Sequence, residues 1–243
     1  MLCLYIQAPF AVFRTFTAGS LRPTAPFITP SAAYGLAMNL AGIEMRCDDD
    51  KAPMTLIRPG LPRVDIAVGA LRQPEQQVLF QQLHNYRVGE TEKIPDKANP
   101  SNKVTVKEEG MRRCKATKYN ITPARRTVLS DLRAYVAIRG NDDLERQIRA
   151  GLAGDGPPRY GLPFLGDNNF LADRIEEVTS TEPANWYVPL QADDDSGLST
   201  SVARLTITID RKDMARTRSA LFRPIPKASA EIPAEAWVAV DYG

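Results

Sequence analysis

The sequence predicts an α+β fold. It is a ferredoxin-like sheet in the order β-α-β-β-α-β, with a basic β-hairpin arm inserted between the second and third strands and a β-rich C-terminal segment. Three observations predict it. Apolar residues alternate at period two in LCLYIQA, PRVDIAVGA and RTVLSDLRAYVAIRG. They recur at helical spacing behind two capping signals, Thr29-Pro30 and Asn141. Between the second and third strands lies a Lys/Arg-rich stretch too long for a simple loop in a compact domain.

The elements follow in chain order. In LCLYIQA, Leu2, Leu4 and Ile6 point one way and Cys3, Tyr5 and Gln7 the other, the pattern of a half-buried strand. After a Pro-rich loop, Thr29 is a good N-cap and Pro30 suits the first helical position. Leu36, Leu40 and Ile43 share one helical face, and Gly42 stands where glycine often stops a helix. Gly35 inside this helix implies close approach of a backbone or ligand, or a plain packing contact. Residues 62–70 form the second strand, with Val64, Ile66 and Val68 inward. The arm holds the alternating run KVTVK. In the third strand, 126–140, Leu132, Ala134, Val136 and Ile138 face in, and Arg133, Tyr135 and Arg139 face out. Asn141 caps a helix over 141–152 whose buried stripe is Leu144, Ile148 and Leu152. FLADRIEEV is the fourth strand, and WYVPL, SVARLTITID and AWVAV are strand candidates further on. The boundaries are 1–180 for the sheet domain, 85–126 for the arm within it and 181–243 for the C-terminal segment.

Such a sheet leaves one face without helices, the face on which RNA-recognition folds hold bases. Tyr5, Tyr135, Arg133 and Arg139 lie there, unless the C-terminal third covers it.

Charge sharpens the functional reading. Net charge is only +2, yet residues 85–126 carry eleven Lys/Arg against five Asp/Glu, so the surplus is concentrated in the arm. A basic segment in a near-neutral chain suits a polyanion, and equally a solvated surface loop. At the other end, Glu44 is the first acid of the chain, while Arg14 and Arg22 precede it.

Several function classes are excluded or disfavoured. Three scattered cysteines, Cys3, Cys47 and Cys114, make neither a metal set nor a disulfide framework. His84 is the single histidine, which disfavours zinc sites and most acid–base catalysis. It reads as structural or RNA-contacting. Phosphate-loop, dinucleotide, HExxH and GxSxG motifs are absent. Asp193, Asp194 and Asp195 read as a turn, because consecutive carboxylates converge poorly on one cation. No metal, cofactor or catalytic residue is therefore expected. The apolar N-terminus contains Pro9 and reads as a strand and not as a signal peptide, and no apolar run approaches the roughly 20 residues of a membrane helix. A cytoplasmic protein without membrane contact is the expectation.

The stretches IQAPFAVFRTF and SLRPTAPFITPSAAYGLAMNLAGIE resemble the N-terminal signature of the fifth CRISPR-associated (Cas five) family. These are RAMP-type subunits of Cascade, the type I surveillance complex, and the wording here is nearest to type I-B-like members. PFLGDNNFLADRIEEV resembles the family's later Leu-Gly strand region, and the basic arm occupies the place of its thumb hairpin. The resemblance implies a subunit that caps the 5′ handle of the CRISPR RNA, presses its thumb into the guide RNA–target DNA hybrid, and joins the backbone subunits to the large subunit. It implies RNA contacts by Arg14, Arg22, Thr29, Ser31, Tyr34, Arg125 and Arg126. The first of these would surround an open helix N-terminus offering free N–H groups to phosphates. It implies thumb contacts by Lys103, Lys107, Met111, Arg112, Arg113, Lys115 and Lys118, with Met111 or Val104 as the wedge by position. One branch of the family cuts precursor RNA with a Tyr, Lys and His set. No Lys-His pair stands here, so a metal-independent endoribonuclease is the alternative, and a protein-only scaffold a second one.

Overall fold

The computed structural model describes residues 1–15, 21–47, 55–83, 93–105, 122–190 and 201–242. Two compact units emerge from it: residues 1–16, 23–77 and 128–243 form the first, and residues 17–22 and 78–127 the second. The C-terminal segment thus belongs with the sheet domain. The second unit contains the basic arm.

The strands are β1 (Leu2–Ala11), β2 (Leu21–Arg22), β3 (Arg46–Cys47), β4 (Leu56–Ile57), β5 (Val64–Arg72), β6 (Glu75–Leu83), β7 (Lys93–Pro95), β8 (Lys103–Thr105), β9 (Thr122–Arg139), β10 (Arg174–Glu177), β11 (Asn185–Pro189), β12 (Ala203–Thr208), β13 (Arg218–Pro224) and β14 (Val238–Val240). The helices are α1 (Pro30–Leu40) and α2 (Asp142–Ala153). The fold is α+β, with an almost wholly antiparallel main sheet ordered β10-β1-β9-β5-β11-β13-β12. Strand β14 pairs with the first residues of β5 (Val238 opposite Ile66), while β11 pairs with its later ones (Trp186 opposite Gly69). In this way residues 181–243 extend the same sheet. Strands β6 and β13 go beyond the sequence expectation, and β10 is shorter than FLADRIEEV, because Leu165 and Phe170 spend their backbone groups on a local turn (Leu165 N–H to Phe170 O, 2.9 Å).

Local chemistry explains the helices. Thr29 is extended and accepts the Ala32 N–H, Pro30 opens α1, and Gly42 at φ +71° turns the chain out of it. A side chain on Gly42 would also collide with Pro157, 2.6 Å away. Helix α1 is buried on most sides, Tyr34, Ala37 and Met38 included, and not only along the Leu36–Leu40 face. Gly35 does not reflect close approach, since a Cβ there would meet nothing within 4 Å. Helix α2 is amphipathic: Leu144 and Ile148 are buried, Asn141 accepts the Leu144 N–H, and Asp142, Asp143 and Glu145 occupy its first turn.

The alternation read from sequence decides the faces. Leu2, Leu4, Ile6, Ile66, Val68, Leu132, Ala134, Val136 and Ile138 make one continuous core with residues of α1 and α2. Full burial of each larger aliphatic side chain contributes about 1.5–3 kcal/mol. The opposite face holds Cys3, Ala67, Tyr135 and Ala137, under Trp186, Val188 and Ala236. Trp186 lies so close to β5 that a Cβ on Gly69 would be 2.8 Å from its ring. The C-terminal residues therefore cover part of the helix-free face, the alternative that the sequence left open.

Candidate nucleic-acid interface

In the second unit, β2 pairs with β9 in parallel, with Leu21 opposite Arg125 and Arg22 opposite Arg126. Two arginines thus stand side by side across a strand pair, with a third next along the strand. Arg22 and Arg125 are exposed, and Arg126 is partly buried. The KVTVK run supplies β8, which pairs with β7 (Pro95 opposite Lys103). The turn between them is braced from within. The Asp96 side chain, 7% exposed, accepts the Ala98 N–H at 2.9 Å, and the Asp96 N–H donates to the Asn102 carbonyl at 2.8 Å. Lys103 is exposed beside this turn. Lys107, Met111, Arg112, Arg113, Lys115 and Lys118 lie outside the described residues, as do His84, Tyr86 and Asp193–Asp195.

In the first unit, Arg14 is exposed and bridges to Thr24 on the neighbouring segment. The open helix N-terminus expected behind it is not there. Thr29 is 3% exposed and Ser31 9%, and their hydroxyls bond one another at 3.1 Å. Tyr34 is fully buried, donates to the Pro62 carbonyl at 2.8 Å and packs on Tyr242 with ring centres 5.1 Å apart. Burial pushes its phenol well above the ordinary tyrosine range. These three residues cap and pack α1, and Tyr34 has no ring face free to stack a base. Its partners, Pro62 and Tyr242, are far away in sequence, which is why a tyrosine beside a helix start read as a surface contact.

What the helix-free face does offer is a groove of about 590 Å³ in the same unit, where Tyr5, Arg72, Arg133, Tyr135 and Arg174 come together with Glu176 and Glu182. Tyr5 and Tyr135 are opposed in register, rings edge to face at 6.0 Å. Tyr135 stacks in turn on Trp186 at 6.2 Å and accepts the Glu182 N–H at 3.1 Å. Asp131 receives Arg72 and Arg133, each at 3.0 Å, and Arg174 pairs with Glu176 at 2.8 Å. Asp131 has φ +53°, at the point where a bulge brings Arg72 opposite Arg133. Sequence alternation finds Arg133 and Tyr5 here. It misses Arg72, whose side is set by the bulge, and Arg174, whose strand is short. Aromatic rings beside guanidinium planes are suited to stacking an unpaired base. The neighbouring carboxylates make the groove a poor place for several phosphates.

Cys3 is 6% exposed, and its thiol is pushed up to about 12 by burial, with Glu177 adding to the effect. It holds its proton and is no nucleophile at neutral pH. Among the described residues no three His, Cys, Asp or Glu side chains gather into a metal site, and no helix is long and apolar enough to cross a membrane.

Comparison with known proteins places this geometry. The family described as CRISPR-associated protein (Cas_Cas5) matches residues 1–211. A solved chain described as "CRISPR RNA-guided surveillance complex" superimposes with a TM-score of 0.53 at 17% identity, covering 97% of this chain and 92% of that one. Another, described as "Crystal structure of Cas protein", has a TM-score of 0.48 at 13% identity over 91% of this chain and 92% of its own. At these identities the likeness concerns the fold. No curated protein sequence matches the chain.

Proposed function

The chain belongs to the CRISPR-associated protein family (Cas_Cas5), and from that membership we propose that it is a non-catalytic RNA-binding subunit of a type I Cascade surveillance complex, holding the 5′ handle of the CRISPR RNA. The family match over residues 1–211 carries the reading. Supporting it are the arginines Arg22, Arg125 and Arg126 on β2 and β9, and Lys103 on the braced β7–β8 hairpin. Phosphate contacts of this kind give salt-sensitive binding with little sequence information. The partners in this reading are the CRISPR RNA, target DNA in the guide hybrid, the backbone subunits and the large subunit. The order β10-β1-β9-β5, with α1 between β1 and β5 and α2 between β9 and β10, supports reading the core as ferredoxin-like. The type I-B-like subtype rests on the wording of the N-terminal stretches 6–16 and 20–44.

The test is titration of the full chain with repeat RNA across salt, followed by a denaturing gel. The expected result is intact RNA, with binding that weakens as salt rises and a slope that flattens by about 0.7 for each lost single-strand phosphate contact in Arg22→Ala or Arg126→Ala. Defined cleavage products would replace this reading with a processing ribonuclease. If the isolated chain binds nothing, the assembled complex decides, and a handle fully protected without this subunit sinks the capping role.

A further inference from the structure

We infer that the first unit carries a second nucleic-acid site, a pocket at the turn between β12 and β13 that takes one nucleotide of a single strand, its phosphate held by Arg211, Lys212 and Arg218. The pocket measures about 350 Å³, within the range of small-molecule sites. Its apolar wall is Leu56 and Ile57 of β4, with Ile209 and Tyr242. Its rim is cationic: Arg211, Lys212, Arg216 and Arg218 against Asp210 and Asp241.

The acids of this turn are already engaged. Asp210 accepts the Lys212 and Asp213 N–H groups, each at 2.9 Å, which holds its carboxyl below the ordinary range. Asp213 accepts the Ala215 N–H at 3.0 Å and pairs with Arg216 at 3.5 Å, and Asp241 faces Arg63 at 3.9 Å. Arg211, Lys212 and Arg218 make no ion pair among the described residues. The turn is therefore braced in its backbone, and Arg211, Lys212 and Arg218 line its rim with Lys212 lying in the field of Asp210. The wall opposite the rim is apolar, and Tyr242 is held in place there by packing on Tyr34. Burial pushes the Tyr242 phenol up to about 12, so it stays a neutral donor at working pH. A cationic rim over an apolar wall fits a nucleotide, whose charge and apolar ring need both, better than an acidic peptide, which needs only the rim. The choice of nucleic acid rests on the RNA-binding reading above, but the site itself does not.

The experiment uses the full chain and a single-stranded RNA oligonucleotide containing 4-thiouridine, cross-linked by near-ultraviolet light and mapped by mass spectrometry. The expected result is cross-links within residues 209–218 or on Tyr242, lost in the variant Arg211→Ala/Lys212→Ala/Arg218→Ala. That variant should bind RNA on the order of tenfold more weakly at low salt, with a salt slope flatter by about 0.7, equivalent to the one single-strand phosphate of the pocket. Cross-links confined to other residues, with binding unchanged in the triple variant, overturn this site and leave the RNA-binding reading standing. Absence of both cross-links and binding overturns this site and leaves the RNA-binding reading to be decided on the assembled complex. A mononucleotide that saturates the pocket without displacing the oligonucleotide reassigns it to a free nucleotide. Unchanged RNA binding with lost subunit assembly reassigns it to an acidic protein segment.

Discussion

On one face of the central sheet Leu4, Ile66, Val136 and Ile138 disappear under two helices, and on the other Tyr5, Arg72, Arg133 and Arg174 line an open groove beside the Trp186 cluster. Both faces come largely from β1, β5 and β9, read out by a period of two except at the bulge that places Arg72, with Arg174 added from β10. The difference lies in what closes them. Helices close the first face with many interdigitated aliphatic groups, so each contributes to a shared core. The second is closed over part of its area by residues from the C-terminal end, and what stays open is polar. Stability should therefore concentrate on the first face and ligand contact on the second.

The largest effect that tests this contrast is on the helix side. Leu4→Ala or Ile66→Ala should cost about 2–5 kcal/mol in urea unfolding, because each side chain is fully buried and the sheet cannot collapse into the space. A cost below 1 kcal/mol would mean that this face is not the core. Next comes Gly69→Ala on the other face. Its new methyl group would stand 2.8 Å from Trp186, so an overpacking cost of about 1–3 kcal/mol and a change in tryptophan emission are expected. An unshifted spectrum would show that the ring does not lie over β5.

Much of this contrast was legible in the sequence. β1, β5 and β9 alternate cleanly, and the caps Thr29 and Asn141 mark where the helices start. Strand β6 was not legible, because EQQVLFQQL has three adjacent apolar residues among glutamines, and Val78 and Phe80 are 63% and 70% exposed, so burial gives it no pattern. That the C-terminal third covers the helix-free face was an open alternative in the sequence, but the way it does so could not be read. It depends on Trp186 reaching the Ser229 carbonyl (3.0 Å) and on Arg139 lying 4.2 Å from the Trp237 ring, contacts that no local period encodes. For the site, strand alternation exposed Arg133 and Tyr5. The helix-start residues Thr29, Ser31 and Tyr34 were misread as surface because a capping motif looks the same whether or not tertiary packing later buries it.

A smaller effect compares the faces through titration. Cys3 on the helix-free side has its thiol raised from 9.0 to about 12, mainly by burial. The folded chain therefore keeps a proton that the unfolded chain has lost, and this contribution is full below pH 9 and disappears as pH rises toward 12. Stability followed by tryptophan emission should be flat from pH 7 to 9 and then decline. Cys3→Ala should make the decline shallower, while the helix-side Tyr34, also raised by burial, retains part of it. An equal decline in the Cys3 variant would assign the whole effect to the tyrosines.

The smallest stability change should accompany a clear change in binding. Asp131 accepts Arg72 and Arg133 at 3.0 Å each, but all three side chains are 41–62% exposed, so each pair is worth only about 0.2–1 kcal/mol. Asn tolerates the left-handed backbone at φ +53° nearly as well as Asp, so Asp131→Asn should cost less than about 1 kcal/mol in all. Asp131→Ala should cost about 1 kcal/mol more, because Ala lacks the local hydrogen bonding that eases a positive φ. Removing the carboxylate leaves the groove one unit more positive, with two guanidinium groups no longer tied to it. RNA should then bind more tightly to Asp131→Asn, with a steeper salt dependence. The opposite result, weaker binding at unchanged stability, would mean that Asp131 orients the two arginines toward the strand, and that the groove depends on their fixed geometry more than on its net charge.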